Sequence, residues 1–180
     1  ATPSGITMLT SERTTEAVLN VLNANVENYD YEIVQMCTEV LKPFTEQQSV
    51  RSVVLASGIF TIIIPILPKL IDSLSSDLVT EVYIALLTII YNAVGTDAKG
   101  SRLFADADGI HVFVRMLEEY PSVDSVTWIV NVLEHAVDFE TSYEPFWQVD
   151  IISSYLRSFS EVKITPPQMF TMLNILNTLL

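Results

Sequence analysis

Leu67-Pro68-Lys69-Leu70-Ile71-Asp72-Ser73-Leu74 returns as Ile110-His111-Val112-Phe113-Val114-Arg115-Met116-Leu117, and more loosely as Ile152-Ser153-Ser154-Tyr155-Leu156-Arg157-Ser158-Phe159. The steps are 43 and 42 residues. A second register runs through the helix that follows each copy, where Asn92, His135 and Asn177 are again 43 and 42 residues apart. No stretch of the chain alternates apolar and polar residues as a half-buried strand does. A period of about 40–47 residues made only of helices marks stacked helical repeats, in which no unit buries its apolar face alone. The expected fold class is therefore all-α, a right-handed α-solenoid of about three to four repeats.

Outward from the first copy, caps and breakers mark the helix ends. Ser11, Thr14 and Thr15 read as a capped start before Ala17-Val18-Leu19 and Val21-Leu22. A helix is predicted from about Asp30 to Phe44, where Ile33, Val34, Met36, Cys37, Val40 and Leu41 recur at three and four, with Pro43 near its end. Another runs from Gln47 to Ala56 and ends near Ser57-Gly58. Pro65 and Pro68 fall in the first turn of the helix that carries the first copy, where a missing N–H costs little. Ser75-Ser76-Asp77 caps a long helix from Leu78 to about Val94, closed by Gly95. Residues 98–108 then form a short helix or turn, and Ile110 to Glu119 a helix stopped by Pro121. A long helix from Val123 to Phe139, a short element from Ser142 to Trp147 and a helix from Asp150 to Phe159 follow. Pro166 and Pro167 open the last helix.

Composition narrows the partners. With 180 residues, 49% of them hydrophobic, the chain can bury a large core. A mean hydropathy of +0.38 points to helices apolar on more than one face. Nine Lys and Arg stand against 22 Asp and Glu, a formal charge of −13. Phosphate backbones and anionic lipid surfaces need Lys and Arg to meet them, so neither nucleic acid nor a membrane surface is expected as a partner. Proteins or peptides remain, basic ones favoured. Val53 to Leu67 carries no charge, yet it falls short of the about 20 apolar residues of a bilayer span and is interrupted by Ser57, Gly58, Thr61 and Pro65. A buried helix pair is expected there. Cys37 is the only cysteine, which leaves no internal disulfide and suits a reducing, cytoplasmic compartment.

The elements resemble the armadillo repeat family over about residues 47–180. The residues that carry the likeness are Leu67-Pro68-Lys69-Leu70-Ile71 with Leu74, and Gly109-Ile110-His111-Val112-Phe113-Val114 with Leu117. Asp77-Leu78-Val79 leading to Tyr91-Asn92-Ala93 is similar to the family's third helix. The third copy departs, with Asp150 in place of the glycine, and HEAT repeats share the same helical physics. The resemblance implies a single domain over 1–180, with a partial first repeat at 11–45 and repeats at 47–96, 98–139 and 140–180, forming a piece of a longer chain.

In such a stack the long third helices line the concave side, and their polar positions form the candidate groove. Counting back from each ladder residue by about a turn at a time keeps to one helical face. Asn92 leads to Thr88, Ala85 and Glu81, and His135 to Asn131, Trp128 and Asp124. Asn177 leads to Asn174 and Phe170, while Lys42, Thr38 and Gln35 are the nearest equivalents in the first repeat. Burying an apolar side chain stabilises by about 1.5–3 kcal/mol, whereas an unpaired buried amide costs about 1–3 kcal/mol. Polar residues on such apolar helices therefore belong where they reach water, a ligand or each other. Carboxamides pair with a peptide backbone and aromatic rings hold its side chains.

Importin-alpha and beta-catenin are similar in gripping a peptide main chain with an asparagine ladder. The importin-alpha spacing of tryptophan four residues before asparagine is absent: Thr88 precedes Asn92, Asn131 precedes His135 and Leu173 precedes Asn177. Nuclear-import cargo recognition is therefore not carried over. The competing reading makes the same residues inter-helix ties between neighbouring repeats.

Other chemistry fails on spacing. Asp106-Ala107-Asp108-Gly109 would place Phe104 and Arg115 at calcium-ligand positions. His111 and His135 have no third ligand in register, and neither a Gly-rich phosphate loop nor a nucleophile on a strained turn is present. The expectation is a non-enzyme without metal or cofactor, an interaction scaffold or adaptor that binds a partner segment with Glu81, Thr88, Asn92, Asp124, Trp128, Asn131, His135, Phe170, Asn174 and Asn177. One alternative is a structural or oligomerising segment, self-associating through the apolar C-terminal helix with Ile175, Leu176, Leu179 and Leu180. Another, by analogy with formin armadillo regions, is recognition of a small GTPase.

Overall fold

The computed structural model describes residues 12–71, 73–95, 98–119, 122–140 and 143–180. Ser11, Asp72, Pro121 and Ser142, named above, lie outside them. Among the described residues the regular structure is helical and no strand occurs. In chain order the helices are α1 (Glu12–Glu27), α2 (Tyr31–Glu46), α3 (Gln48–Ala56), α4 (Ile59–Ile63), α5 (Ile66–Ile71), α6 (Asp77–Val94), α7 (Ala98–Asp106), α8 (Gly109–Glu119), α9 (Val123–Val137), α10 (Tyr143–Trp147), α11 (Ile151–Glu161) and α12 (Pro166–Leu179). The chain divides into two compact units, one up to Ala93 and one from Val94 to Leu180.

In the first unit α1 packs on α2, α3 and α4. Leu19, Leu22 and Val26 of α1 are buried, as are Val34, Leu41 and Phe44 of α2. The Ile33 N–H donates to the Asp30 carboxylate at 3.4 Å, an N-cap for α2. Pro43 stands inside α2, which runs on to Glu46. The uncharged run from Val53 breaks at Gly58, whose φ of +74° is a left-handed conformation that glycine adopts without penalty. The chain bends there by 64°, and Val54, Leu55, Ile59, Phe60, Ile63 and Ile64 are all buried. The expected helix pair is present, but it is divided further: α4 was not foreseen, and the first motif copy is confined to the six-residue α5. Pro68 is in its first turn, whereas Pro65 lies in the turn before it.

Helix α6 follows, 18 residues ending at Gly95, which has φ of +59°. By length and composition α6 could cross a bilayer, and half of it is buried inside the structure.

In the second unit α7 packs on α8 and α9, α11 on α8, and α12 on α9. Phe104 of α7 meets Phe113 of α8 edge to face at 5.1 Å between ring centroids. Gly109 opens α8 so close to Phe104 that a Cβ there would overlap the ring. Ser122 and Ser125 form a capping box at the start of α9, with the Ser125 N–H donating to the Ser122 hydroxyl at 3.2 Å. Asp150 caps α11, accepting from the Ser153 N–H at 3.1 Å and the Ser153 hydroxyl at 2.7 Å. Those two bonds hold its carboxyl below the usual aspartate range, the hydroxyl's being the larger effect. At the 42-residue step of the motif it is Ile151, which is buried, and not Asp150 that stands in the place of Gly109, and Asp150 answers to Asp108. The glycine is thus needed by the Phe104 contact rather than by the start of the helix.

Candidate binding face

The long helices each keep one open stripe. Of the described side chains of α9, only Thr127, Trp128, Asn131, Glu134 and His135 are not buried. Successive residues turn by about 100°, which places Trp128, Asn131 and His135 on one side and Thr127 and Glu134 on the adjoining one. On α6 the corresponding open side carries Glu81, Ile84, Ala85, Thr88, Tyr91 and Asn92, with Val82, Leu86, Leu87, Ile89 and Ile90 buried opposite. Periodicity alone located these stripes, because a helix buried on three sides leaves its polar residues only the fourth.

Hydrogen bonds assign some of the polar residues to neighbouring helices. Gln168 Nε2 donates to Thr127 Oγ1 at 2.7 Å, and Asn174 Nδ2 to Glu134 Oε1 at 3.4 Å. These pairs lie 41 and 40 residues apart and ascend together, so α9 and α12 run parallel in nearly the register of the repeat. In the first unit Gln35 Nε2 donates to Glu81 Oε2 at 3.0 Å, joining α2 to α6. Thr88 turns its hydroxyl back to the Ile84 carbonyl at 2.8 Å. Glu81 and Asn174 therefore act as ties, as the second reading had it.

The remaining positions of the stripe differ in exposure. Phe170 is 65% exposed and Asn177 is exposed on the same side of α12. Trp128, Asn131 and His135 are half-buried on α9, and Asn92 is half-buried on α6. Asp124 belongs to α9, but its side chain lies outside the described residues. Asn92 falls in the first unit; Trp128, Asn131, His135, Phe170, Asn174 and Asn177 fall in the second.

Sequence reading missed three buried tie residues. Gln168 is buried, and its Oε1 also accepts from the Thr165 N–H at 2.7 Å; its signal was the Thr-x-x-Gln pattern of a capping box. Ser158 donates to the Leu117 carbonyl at 3.1 Å and Ser101 to the His135 carbonyl at 3.2 Å, each satisfying an acceptor in the last turn of a neighbouring helix. Small serines on an apolar face were the only trace of these. Among the described residues, the Tyr155 hydroxyl is buried without a hydrogen-bond partner; burial, and secondarily the Glu134 charge, push its pKa up.

Among the described residues, no group of three or more His, Cys, Asp or Glu is placed to hold a metal ion. No protein-family model matches the chain, and no curated protein is similar to it in sequence.

Proposed function

We propose that the chain is an armadillo-like helical-repeat protein that binds a segment of a partner protein along the open stripes of its long helices, without catalysis. What supports the reading is the stripe on α9, where Trp128, Asn131 and His135 are among the few side chains left unburied, beside exposed Phe170 and Asn177 on the parallel helix α12. Amides at this spacing suit a peptide main chain, and the two aromatic rings suit its side chains. Helix α6 offers the same kind of face in its own unit with Thr88 and Asn92. Glu81 and Glu134, with the −13 total, favour a segment bearing Lys or Arg.

Selection of a random peptide library against the protein tests this. Bound peptides are expected to be rich in Lys and Arg and to lose about tenfold or more in affinity for an Asn131→Ala, Phe170→Ala, Asn177→Ala triple variant. Peptides that hold the triple variant as tightly as the wild type would reject the stripe as the site.

A further inference from the structure

We infer that the corner between α1 and α2 binds the ammonium group of a lysine side chain from a partner protein, held against the rings of Tyr29 and Tyr31. Helix α1 closes with two backbone bonds. The Tyr29 N–H donates to the Val26 carbonyl at 3.2 Å, and the Asp30 N–H to the Asn25 carbonyl at 2.9 Å. This pair is a Schellman closure, which puts the residue in the place of Tyr29 into a left-handed conformation. Tyr29 accordingly has φ of +60°. Glycine takes that conformation without penalty, whereas a bulky side chain is strained in it. A tyrosine thus stands where local stability favours glycine, and at 73% exposed its ring adds little to the core.

The ring meets Tyr31, the first residue of α2, edge to face at 6.3 Å between centroids and 80° between planes. Two rings at right angles form adjoining walls, and the electron-rich face of each attracts a cation. Both line a depression of about 430 Å³ that Asn28, Asp30, Glu32 and Leu78 complete. Leu78 belongs to α6 and stands one turn before Glu81, whose bond from Gln35 joins that helix to α2. Asp30 and Glu32 bring two carboxylates to the rings, and no basic residue lines this depression. A second depression, of about 240 Å³, shares the two rings and is lined by Lys69, whose ammonium lies 3.7 Å from Glu27. The chain supplies its own cation to one depression and only negative charge to the other. A lysine side chain suits what is offered there: ring faces and carboxylates for its ammonium, and Leu78 for its methylenes.

The corner is made by helix ends. Helical repeats stack through the sides of their helices, so a neighbouring repeat covers those sides and leaves such a corner open. Residues before Glu12 join α1 at its opposite end, about 24 Å away along the helix axis. None of the residues around the two rings belongs to the stripes on α6, α9 and α12, so a lysine can bind here whether or not those stripes hold a peptide.

The test is titration of the chain with a glycine–serine peptide carrying one central lysine, followed by the ring-proton NMR shifts of Tyr29 and Tyr31. The peptide is used unmodified, trimethylated and acetylated at that lysine. Methylation keeps the positive charge, and acetylation removes it. Both charged forms are expected to move the two rings and to bind about tenfold or more tighter than the acetylated form. Tyr29→Gly keeps the left-handed turn and every charge of the chain, so it should melt no lower than the wild type. Its affinity for the charged peptides should fall about tenfold or more, and Tyr31→Leu should repeat that loss from the other wall. The Asn131→Ala, Phe170→Ala, Asn177→Ala variant should bind these peptides as the wild type does. An acetylated peptide that binds as tightly as the charged forms overturns the inference, and so does a wild type whose rings no peptide moves. A Tyr29→Gly protein that binds the charged forms unchanged overturns it as well, since the −13 charge would then attract the peptide without the rings.

Discussion

Helices α8 and α11 carry nearly the same pattern of apolar residues, yet one is covered on the side where the other is bare. Leu117 has no exposed surface, while Leu156, on the corresponding side of α11, is largely exposed. Amphipathicity is a property of the helix, but burial is a property of its neighbour. The difference also separates two kinds of polar residue. Ser158 on α11 is fully buried and bonded to the Leu117 carbonyl, while Ser153 and Ser160 on the same helix face solvent.

Truncation should expose the contrast most strongly. Leu117→Ala opens a cavity in a closed contact and is expected to cost about 2–5 kcal/mol in urea unfolding. Leu156→Ala, measured at a concentration where the chain is monomeric, should stay within about 0.5 kcal/mol of wild type. Equal losses at the two positions would break the comparison.

The start of α8 comes next. Gly109→Ala forces a methyl group into the Phe104 ring, and thermal unfolding should report a loss of about 1–3 kcal/mol. Adding Phe104→Leu should recover part of it. At the equivalent point on α11, Ile151 already carries a large side chain, so Ile151→Ala should lose buried surface instead of relieving a clash.

Smaller effects divide the polar groups of α11. Ser158→Ala removes a buried donor from the Leu117 carbonyl and should cost about 1 kcal/mol. Tyr155→Phe removes a hydroxyl that has no partner among the described residues, so stability should hold or rise slightly. A substantial loss for Tyr155→Phe would mean that the hydroxyl is bonded in solution.

Much of the fold was legible from the chain because its signals are local. The helix starts at Asp30 and Asp150, the stop at Gly95 and the prolines opening α12 each depend on residues within a turn of where they stand. The open stripe on α9 was legible as well, since a helix that is apolar on most sides shows its polar residues at the spacing of one face. The division of the Val53–Ile71 region into three helices was not, because the bend at Gly58 and the short α4 depend on how apolar surfaces pack around them.

Helix content and the amphipathic period came from the chain alone, through three- and four-residue spacing and through turn residues that need no partner. Which polar residues are ties and which stay open was decided by tertiary structure. Asn174 and Asn177 lie three residues apart on one helix, yet only the first meets Glu134. Partnership depends on a helix about forty residues away in sequence, and periodicity within one helix carries no information about the side from which that neighbour approaches.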